Sequence, residues 1–314
     1  MDLVARVAAT GLLPAGGPLV VLVSGGRDST CLLDLAVTLA GPGAVSALHV
    51  DYGLRGPASA ADAEHCAALC ARLGVGLRTE RVRRPEGAAG NLHAWAREAR
   101  YAAGARAAAQ AGGPLATGHT ATDQVETILY RLATSPGRRA LLGMEARTGD
   151  LVRPLLAADV TRAETADWCR RRGLAWREDA SNADPAFARS RVRETLLPAL
   201  EAVDGRAVGS VLRTARLLRE EAAVLDEVVE GALAGRDRLG VDELAALGPA
   251  LGRLVVRRLA EDATGRSCPR AASRLADVLA LGDGALDLGD GARAVVGDGV
   301  LRLERTPPLP PRRC

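Results

Sequence analysis

The chain has 314 residues and a formal net charge of +3, with 48% hydrophobic and 25% charged residues, the balance of a globular protein in water. That length admits one large or two ordinary domains around a sizeable core, and no apolar run approaches the ~20 residues that cross a bilayer. Neither a membrane partner nor a secretory leader is expected, and six cysteines without a CxxC pair suit buried thiols in a reducing, cytoplasmic setting. Every basic residue is arginine. The absence of lysine excludes a GxxxxGK[ST] phosphate loop, and any lysine-derived nucleophile must arrive with a substrate. Three tryptophans, three tyrosines and one phenylalanine leave little for base stacking. The arginine clusters Arg78–Arg84, Arg170–Arg172 and Arg189–Arg193 suit the backbone of a nucleic acid.

Taken in order, Leu19–Val23 is an apolar β run that passes through Ser24, Gly25 and Gly26 into a helical pattern ending near Leu39. Val45–Val50 reads as a second strand, Ala58–Leu73 as an amphipathic helix and Gly76–Val82 as a third strand. Asn91 suits the cap of a long helix to about Gln110. Leu115–Gly118 is a short fourth strand, Thr122 precedes a helix through Leu132, and Leu151–Leu156 is a fifth strand. Thr161-x-x-Glu164 forms a capping box for a helix ending at Arg172–Gly173. Helical patterns at about 207–233, 249–262 and 270–281 follow, then β-like runs at Ala285–Leu288, Ala292–Val296 and Val300–Leu303 separated by Gly-Asp-Gly turns.

This alternation predicts an α/β fold: a doubly wound, mainly parallel five-stranded sheet over residues 1–204. A smaller, mostly helical domain with short strands is expected over 205–305, and a disordered Pro-rich tail over 306–314. Ligands of such sheets bind at the C-terminal ends of the strands, where Ser24, Asp51 and His119 fall. A strand, a glycine turn and a helix start make an anion site, because free N–H groups and the helix dipole face the anion. Ser24, Ser29 and Thr30 add hydroxyl donors. Asp28 is placed either to cap the helix or to share a metal with phosphates.

Ser24-Gly25-Gly26-Arg27-Asp28-Ser29 resembles the SGGxDS loop of the N-type ATP pyrophosphatases, or PP-loop superfamily, which cleave ATP between the α and β phosphates and transfer AMP to a substrate oxygen. Further stretches follow in order: HVDYGLRGPASAADAEHC from His49, AREARY at Ala96–Tyr101, GHTATDQVETILYRL from Gly118, GRRALLGM at Gly137–Met144 and RPLL at Arg153–Leu156. TRAE and REDASNADPAFARSRVRETLLPAL complete the set. Together they resemble the tRNA(Ile)-lysidine synthetase family, closely over residues 17–204 and in layout beyond. The resemblance implies a cytoplasmic ATP-dependent ligase that forms a C–N bond. It would adenylate the C2 carbonyl oxygen of the wobble cytidine in a CAU-anticodon tRNA(Ile). The ε-amine of free L-lysine then displaces AMP, pyrophosphate having left in the first step. The C-terminal domain would bind tRNA, and a homodimer is compatible with the sequence.

The resemblance implies ATP contacts at Ser24, Gly25, Gly26, Arg27, Asp28 and Ser29; His49, Asp51 and His119 at strand ends are expected at the same ATP site, with a structural role as the alternative for His49 and Asp51 and a core histidine as the equal alternative for His119. A carboxylate among phosphate donors would repel ATP unless a cation lay between them, so Asp28 is the expected Mg²⁺ ligand. Asp123 and Glu126, at i, i+3 on one helix face, are the expected lysine-binding and catalytic acids; pairing with the helix dipole is the structural alternative. Only about one free lysine in 10³–10⁴ is unprotonated at neutral pH, so the amine needs a proton acceptor. Thr122 stands where the family motif carries a first acid. Arg97 and Arg100 share a helix face and would stabilise phosphate charge, with surface ion pairing as the alternative. Arg189, Arg191 and Arg193, after Asn182 and Asp184, suit bidentate contact with tRNA phosphates, and Trp176 and Phe187 suit either base stacking or the core. Three other readings stay open: a tRNA 2-thiolation enzyme, a small-molecule adenylating synthetase and a non-catalytic RNA-binding protein. The lack of a CxxC pair counts against sulfur chemistry, the basic segments against a tRNA-free reaction, and the intact Gly25, Gly26 and Asp28 against a relict loop.

Overall fold

A computed structural model describes residues 2–53, 56–85, 91–134, 137–178 and 188–307. The chain divides into two compact units, Met1–Leu218 and Arg219–Cys314. This division falls inside a helix, C-terminal to the boundary expected at 204.

The first unit contains the helices α1 (Leu3–Ala9), α2 (Arg27–Ala40), α3 (Pro57–Leu73), α4 (Leu92–Ala111), α5 (Ala121–Thr134), α6 (Arg139–Leu142), α7 (Pro154–Ala157), α8 (Arg162–Arg171), α9 (Ala188–Arg191) and α10 (Leu197–Val203). A π-helical turn, Val192–Leu196, joins α9 to α10. Its strands are β1 (Leu19–Leu22), β2 (Val45–Asp51), β3 (Gly76–Arg81), β4 (Leu115–Ala116), β5 (Arg147–Thr148) and β6 (Leu151–Val152), in the sheet order β3-β2-β1-β4-β6-β5. Five of the six are parallel, and β5 pairs antiparallel with β6 at one edge. The expected doubly wound sheet is present, with one strand more than expected. The fifth expected run, Leu151–Leu156, is strand only to Val152, because Pro154 lacks the N–H a strand needs and starts α7.

The pleat of β1 explains why the sheet is covered on both faces. Leu19, Val21 and Val23 pack with α1, α2, α3 and α8, while Val20 and Leu22 join Leu48, Val50, Ala103, Ala107 and Ala108 on the opposite face. Alternating side chains are apolar on both sides, as a central parallel strand requires. The alanines and Gly104 of α4 bring that helix close to the sheet; a Cβ at Gly104 would lie 2.4 Å from Leu115 Cδ2.

The caps agree with the sequence at two helices. The Ala94 N–H donates to Asn91 Oδ1 at 3.4 Å, and Thr161 and Glu164 complete the reciprocal box at α8. At α2 the N-cap is Gly26, not Asp28. The carboxylate therefore lies one step inside the helix, where it is left for other contacts.

Helix α11 (Ala207–Leu233) runs from the first unit into the second. The second unit adds β7 (Arg238–Gly240), α12 (Val241–Ala246), α13 (Gly248–Thr264), a 3-10 turn at Ala271–Arg274, α14 (Leu275–Leu279), and the strands β8 (Gly284–Gly289), β9 (Ala292–Gly297) and β10 (Val300–Arg305). Its antiparallel sheet has the order β7-β10-β9-β8. Both hairpins turn on Asp-Gly with positive φ at each residue: 55° and 78° at Asp290-Gly291, 51° and 72° at Asp298-Gly299, the conformation a tight type I′ turn demands. Val255, Val256, Leu259, Leu288 and Leu301 form part of a separate core. Residues 308–314 of the expected Pro-rich tail lie outside the described residues. No helix among the described residues is long and apolar enough to cross a membrane.

The tightest backbone approach precedes β4. A Cβ on Gly113 would lie 2.0 Å from the Pro18 carbonyl oxygen, and neither backbone can yield without disturbing the β1–β4 register. Gly113→Ala is therefore expected to cost about 1–3 kcal/mol in urea denaturation; an unchanged midpoint would contradict this packing.

Candidate active site

The loop between β1 and α2 folds around its own serines. The Ser24 N–H donates to Ser29 Oγ at 3.2 Å, the Ser29 hydroxyl donates to the Gly26 carbonyl at 2.9 Å, and the Gly26 N–H reaches Ser24 Oγ at 3.4 Å. Gly25 has φ +78°, and a Cβ there would press on His65 and Cys66 of α3 at 3.2 and 3.4 Å. The Arg177 N–H donates to the Gly25 carbonyl at 2.9 Å. Glycine is required by both conformation and space, and the N-terminus of α2, without a side-chain cap bond, retains its anion-binding character. Gly118 after β4 presses against the first turn of α2: a Cβ there would meet the Asp28 carbonyl and the Ser29 nitrogen at 3.0 Å. The loop and the β4 end are thus packed together.

Around Asp28 the structure gathers residues from four elements. Its carboxylate accepts from the Thr165 hydroxyl of α8 and from Arg27 Nε at 3.2 Å. Arg162, the first residue of α8, lies 3.5 Å from Asp28 Oδ2 and donates to Asp123 Oδ1 and Glu126 Oε1, both at 3.0 Å. Glu126 is 1% exposed and also accepts two bonds from Arg193, at 2.7 and 2.9 Å. Asp123 Oδ2 accepts from the Thr120 N–H and hydroxyl at 2.8 and 2.9 Å. Burial opposes ionisation of Asp123, but Arg162 and the Thr120 bonds outweigh it and hold its carboxyl below the ordinary range. Three acids and three arginines therefore form one charge-compensated junction.

Asp123 and Glu126 share a face of α5 as their spacing requires, and Asp28 joins them through Arg162. Arg193, expected at a tRNA phosphate, is held by Glu126, and its guanidinium is stabilised chiefly by that bond. Arg189 and Arg191 are exposed on α9, with Arg189 donating to Thr127 Oγ1 at 2.8 Å. Thr122, where the family has an acid, accepts the Arg162 N–H at 3.1 Å and so helps to anchor α8 on α5. Arg97 and Arg100 lie over the Tyr101 ring at 4.9 and 5.4 Å, and burial lowers Arg97.

His49 is buried, its Nδ1–H donating to the Val23 carbonyl at 3.0 Å, which ties the end of β2 to that of β1. Asp51 accepts the Gly53 N–H at 2.8 Å and Arg81 Nε at 3.0 Å. The Gly53 bond, with Arg81 behind it, holds Asp51 below its usual range against burial. His119 Nδ1 shares a hydrogen bond with Thr117 Oγ1 at 2.8 Å. Burial pushes its pKa down to about 3; Asp123 opposes that, and Arg153, Arg100 and Arg97 add to it. Trp176 packs against the core. Asn182, Asp184 and Phe187 lie outside the described residues.

Two of the thiols near the loop, Cys66 and Cys70, are held protonated by burial, whereas Cys169, at 3.6 Å from the Arg27 carbonyl, is shifted down by its bond to Cys31. Burial pushes Cys66 up to about 12 and Cys70 up to about 11, so neither forms the thiolate a sulfur relay needs at neutral pH. Among the described residues no group of three or more His, Cys, Asp or Glu is placed to hold a metal by itself. Asp28 alone suits Mg²⁺ in its usual mode beside a nucleotide, one carboxylate with phosphate oxygens and water.

Sequence comparison now adds to the geometry. The PP-loop domain family model matches residues 11–200. The tRNA(Ile)-lysidine synthase of Nocardia farcinica is 44% identical over 251 residues, covering 78% of this chain and 76% of the relative. The chain belongs to the tRNA(Ile)-lysidine synthase family. The enzyme of that name from Thermobifida fusca is 39% identical over 277 residues, covering 86% and 83%, and that from Pseudomonas fluorescens is 44% identical over 217 residues, covering 67% and 48%. The chain thus spans about half the length of the Pseudomonas relative. The U34-tRNA thiolase NcsA of Methanococcus maripaludis, with its [4Fe-4S] cluster, superposes with TM-score 0.57 at 18% identity, covering 69% of this chain and 77% of that one; that likeness concerns the fold.

The sequence did not single out Arg162 as a site residue. Its signal was present in the Thr161–Glu164 capping box, which fixes residue 162 in the first turn of α8, but its partners lie on α2 and α5. Gln124 is a second case: it clamps the Met144 backbone through bonds of 2.9 and 2.7 Å and fills the space over Gly143.

The neutral His119 has a consequence for acid stability. Its folded value lies below the ordinary 6.5, so the unfolded chain takes up a proton that the folded protein refuses, and stability present above pH 6.5 is lost as pH falls toward 3. In urea titrations from about pH 7 to about pH 4.5, His119→Gln should lose less of its midpoint than the unsubstituted protein; an equal or steeper loss would contradict the assignment.

Proposed function

We propose that the chain is a cytoplasmic ATP-dependent ligase that adenylates the C2 carbonyl oxygen of the wobble cytidine in a CAU-anticodon tRNA(Ile) and then joins that carbon to the ε-amine of free L-lysine. The observation that carries this reading is the junction of the glycine loop with the Asp123–Glu126 pair through Arg162, in a chain 44% identical to a tRNA(Ile)-lysidine synthase. A nucleotide site and an ammonium site that share one guanidinium suit a reaction in which AMP is first attached and then displaced by an amine.

In this reading the N–H groups of the Ser24–Ser29 turn and the start of α2 receive the ATP phosphates, with Ser24 and Ser29 adding hydroxyls. Mg²⁺ held by Asp28 and phosphate oxygens would neutralise charge on the departing pyrophosphate. The cytidine oxygen attacks the α-phosphorus and pyrophosphate leaves. Arg97 and Arg100 stabilise charge on the phosphates. Asp123, kept ionised, receives the lysine ammonium and is placed to accept its proton. The amine attacks C2, and the C2–O bond breaks with AMP carrying the oxygen away. His119, Asp51 and His49 shape the strand ends around the adenosine. Arg189 and Arg191 face tRNA phosphates, Arg193 holds Glu126 in place through two hydrogen bonds, and the second unit binds tRNA.

The test incubates the protein with ATP, Mg²⁺, labelled lysine and a CAU-anticodon tRNA(Ile) transcript. Label is expected in the tRNA at the wobble position, and a failure to label it would overturn the proposal. Asp28→Ala is expected to abolish lysine incorporation while tRNA affinity stays within about threefold; full incorporation by that variant would remove Asp28 from the nucleotide site.

A further inference from the structure

The Arg162 guanidinium occupies a position that the proposed reaction needs for something else. It donates to Asp123 Oδ1 and Glu126 Oε1 at 3.0 Å, the carboxylate pair assigned to the lysine ammonium. Two cations brought to the same oxygens repel, and the ammonium cannot take Asp123 Oδ1 while Arg162 holds it. Each acid also has holders that do not depend on Arg162. Glu126 keeps both bonds from Arg193, Asp123 Oδ2 keeps the Thr120 N–H and hydroxyl, and Asp28 Oδ1 keeps Thr165 and Arg27. Withdrawing Arg162 would therefore free Asp123 Oδ1 without stripping any of the three acids bare.

The same side chain has somewhere to go. Its contact with Asp28 Oδ2 is a loose 3.5 Å, longer than its bonds to the other two acids and beyond ordinary hydrogen-bond length. It starts from the first position of α8, and its side chain is 21% exposed. Asp28 lies in the first turn of α2, beside the loop that would receive a polyanion. A triphosphate brought there supplies far more negative charge than Asp123 alone.

We propose that Arg162 is a positioning residue that reserves the ammonium site: without nucleotide it occupies Asp123 and Glu126, and with ATP bound it moves toward Asp28 and the phosphates, releasing Asp123 Oδ1 to lysine. This inference rests on the function proposed above and deepens it by assigning an order, nucleotide before amine. Such an order protects the chemistry, since an amine seated before adenylation has no activated carbon to attack. The coupling is reciprocal by thermodynamic necessity, so lysine must tighten nucleotide binding by the same factor.

The experiment measures L-lysine affinity calorimetrically on the full chain with Mg²⁺, in the presence and absence of the non-cleavable α,β-methylene analogue of ATP. Lysine is expected to bind roughly tenfold or more tightly with the analogue, and the analogue to bind more tightly by the same factor with lysine. In Arg162→Gln the two lysine affinities should converge on the tighter value, whereas Arg162→Lys, which keeps a cation, should retain part of the difference. Unaltered lysine affinity in the unsubstituted protein, or full coupling in Arg162→Gln, would overturn the inference. If Arg162→Gln does not fold, Arg162→Lys decides: a coupling left as large as in the unsubstituted protein overturns the role of Arg162, and a reduced one supports it. Lysine incorporation into tRNA separates the two levels: incorporation without coupling sinks the role of Arg162 only, and no incorporation sinks the function on which it rests.

Discussion

The first unit depends on a compensated charge cluster. Asp28, Asp123 and Glu126 come from two helices that begin at the ends of adjacent strands, β1 and β4, and Arg162 from a third helix holds them at one point. Placing three carboxylates within reach of one another is unfavourable unless cations are built in with them. Arg27, Arg162 and Arg193 supply that charge, and Thr120 and Thr165 take up remaining acceptors. A buried cluster of this kind adds less to stability than to geometry, because removing any one member leaves another charge uncompensated.

Everything around the cluster serves to hold those helices in place. The carboxylate of Asp34 on α2 accepts from Trp168 Nε1 at 2.8 Å and from Arg172 Nε at 3.0 Å, both on the α8 side. The close approach of Gly118 to the first turn of α2 does the same for the β4 end, and Arg6 of α1 reaches the Ala158 and Asp159 carbonyls before α8 at 2.8 and 3.0 Å. Three contacts from different parts of the sequence thus converge on α2 and α8, the helices that carry Asp28 and Arg162. Together with the Thr165 and Arg162 contacts to Asp28, they fix the first turn of α2 against the start of α8.

How much of this was legible in the sequence follows from how local each feature is. The strand–loop–helix from Leu19 to Leu33 could be read because six contiguous residues encode it, and Asp123 and Glu126 could be paired because a helix places i and i+3 together. The Thr161 box and the Asp-Gly hairpins were legible for the same reason. The edge strand β5 was not: two exposed residues carry no periodicity, and only pairing with β6 makes them a strand. Helix α1 was passed over because its apolar pattern is short and meaningful only against α2 and α7. The partners of Arg162, and the commitment of Arg193 to Glu126 rather than to solvent, are set by tertiary contacts between residues far apart in the chain. Charged side chains in a run look alike in sequence, and burial alone separates a structural guanidinium from a free one.

In the proposed reaction a nucleobase oxygen is activated where these helices meet, and an amine replaces that oxygen. It is tested most directly by following the oxygen itself. A CAU-anticodon tRNA(Ile) carrying ¹⁸O at C2 of the wobble cytidine would be converted with unlabelled ATP and lysine, and the AMP recovered for mass spectrometry. One ¹⁸O is expected in each AMP released and none in pyrophosphate. Unlabelled AMP formed alongside modified tRNA would contradict it.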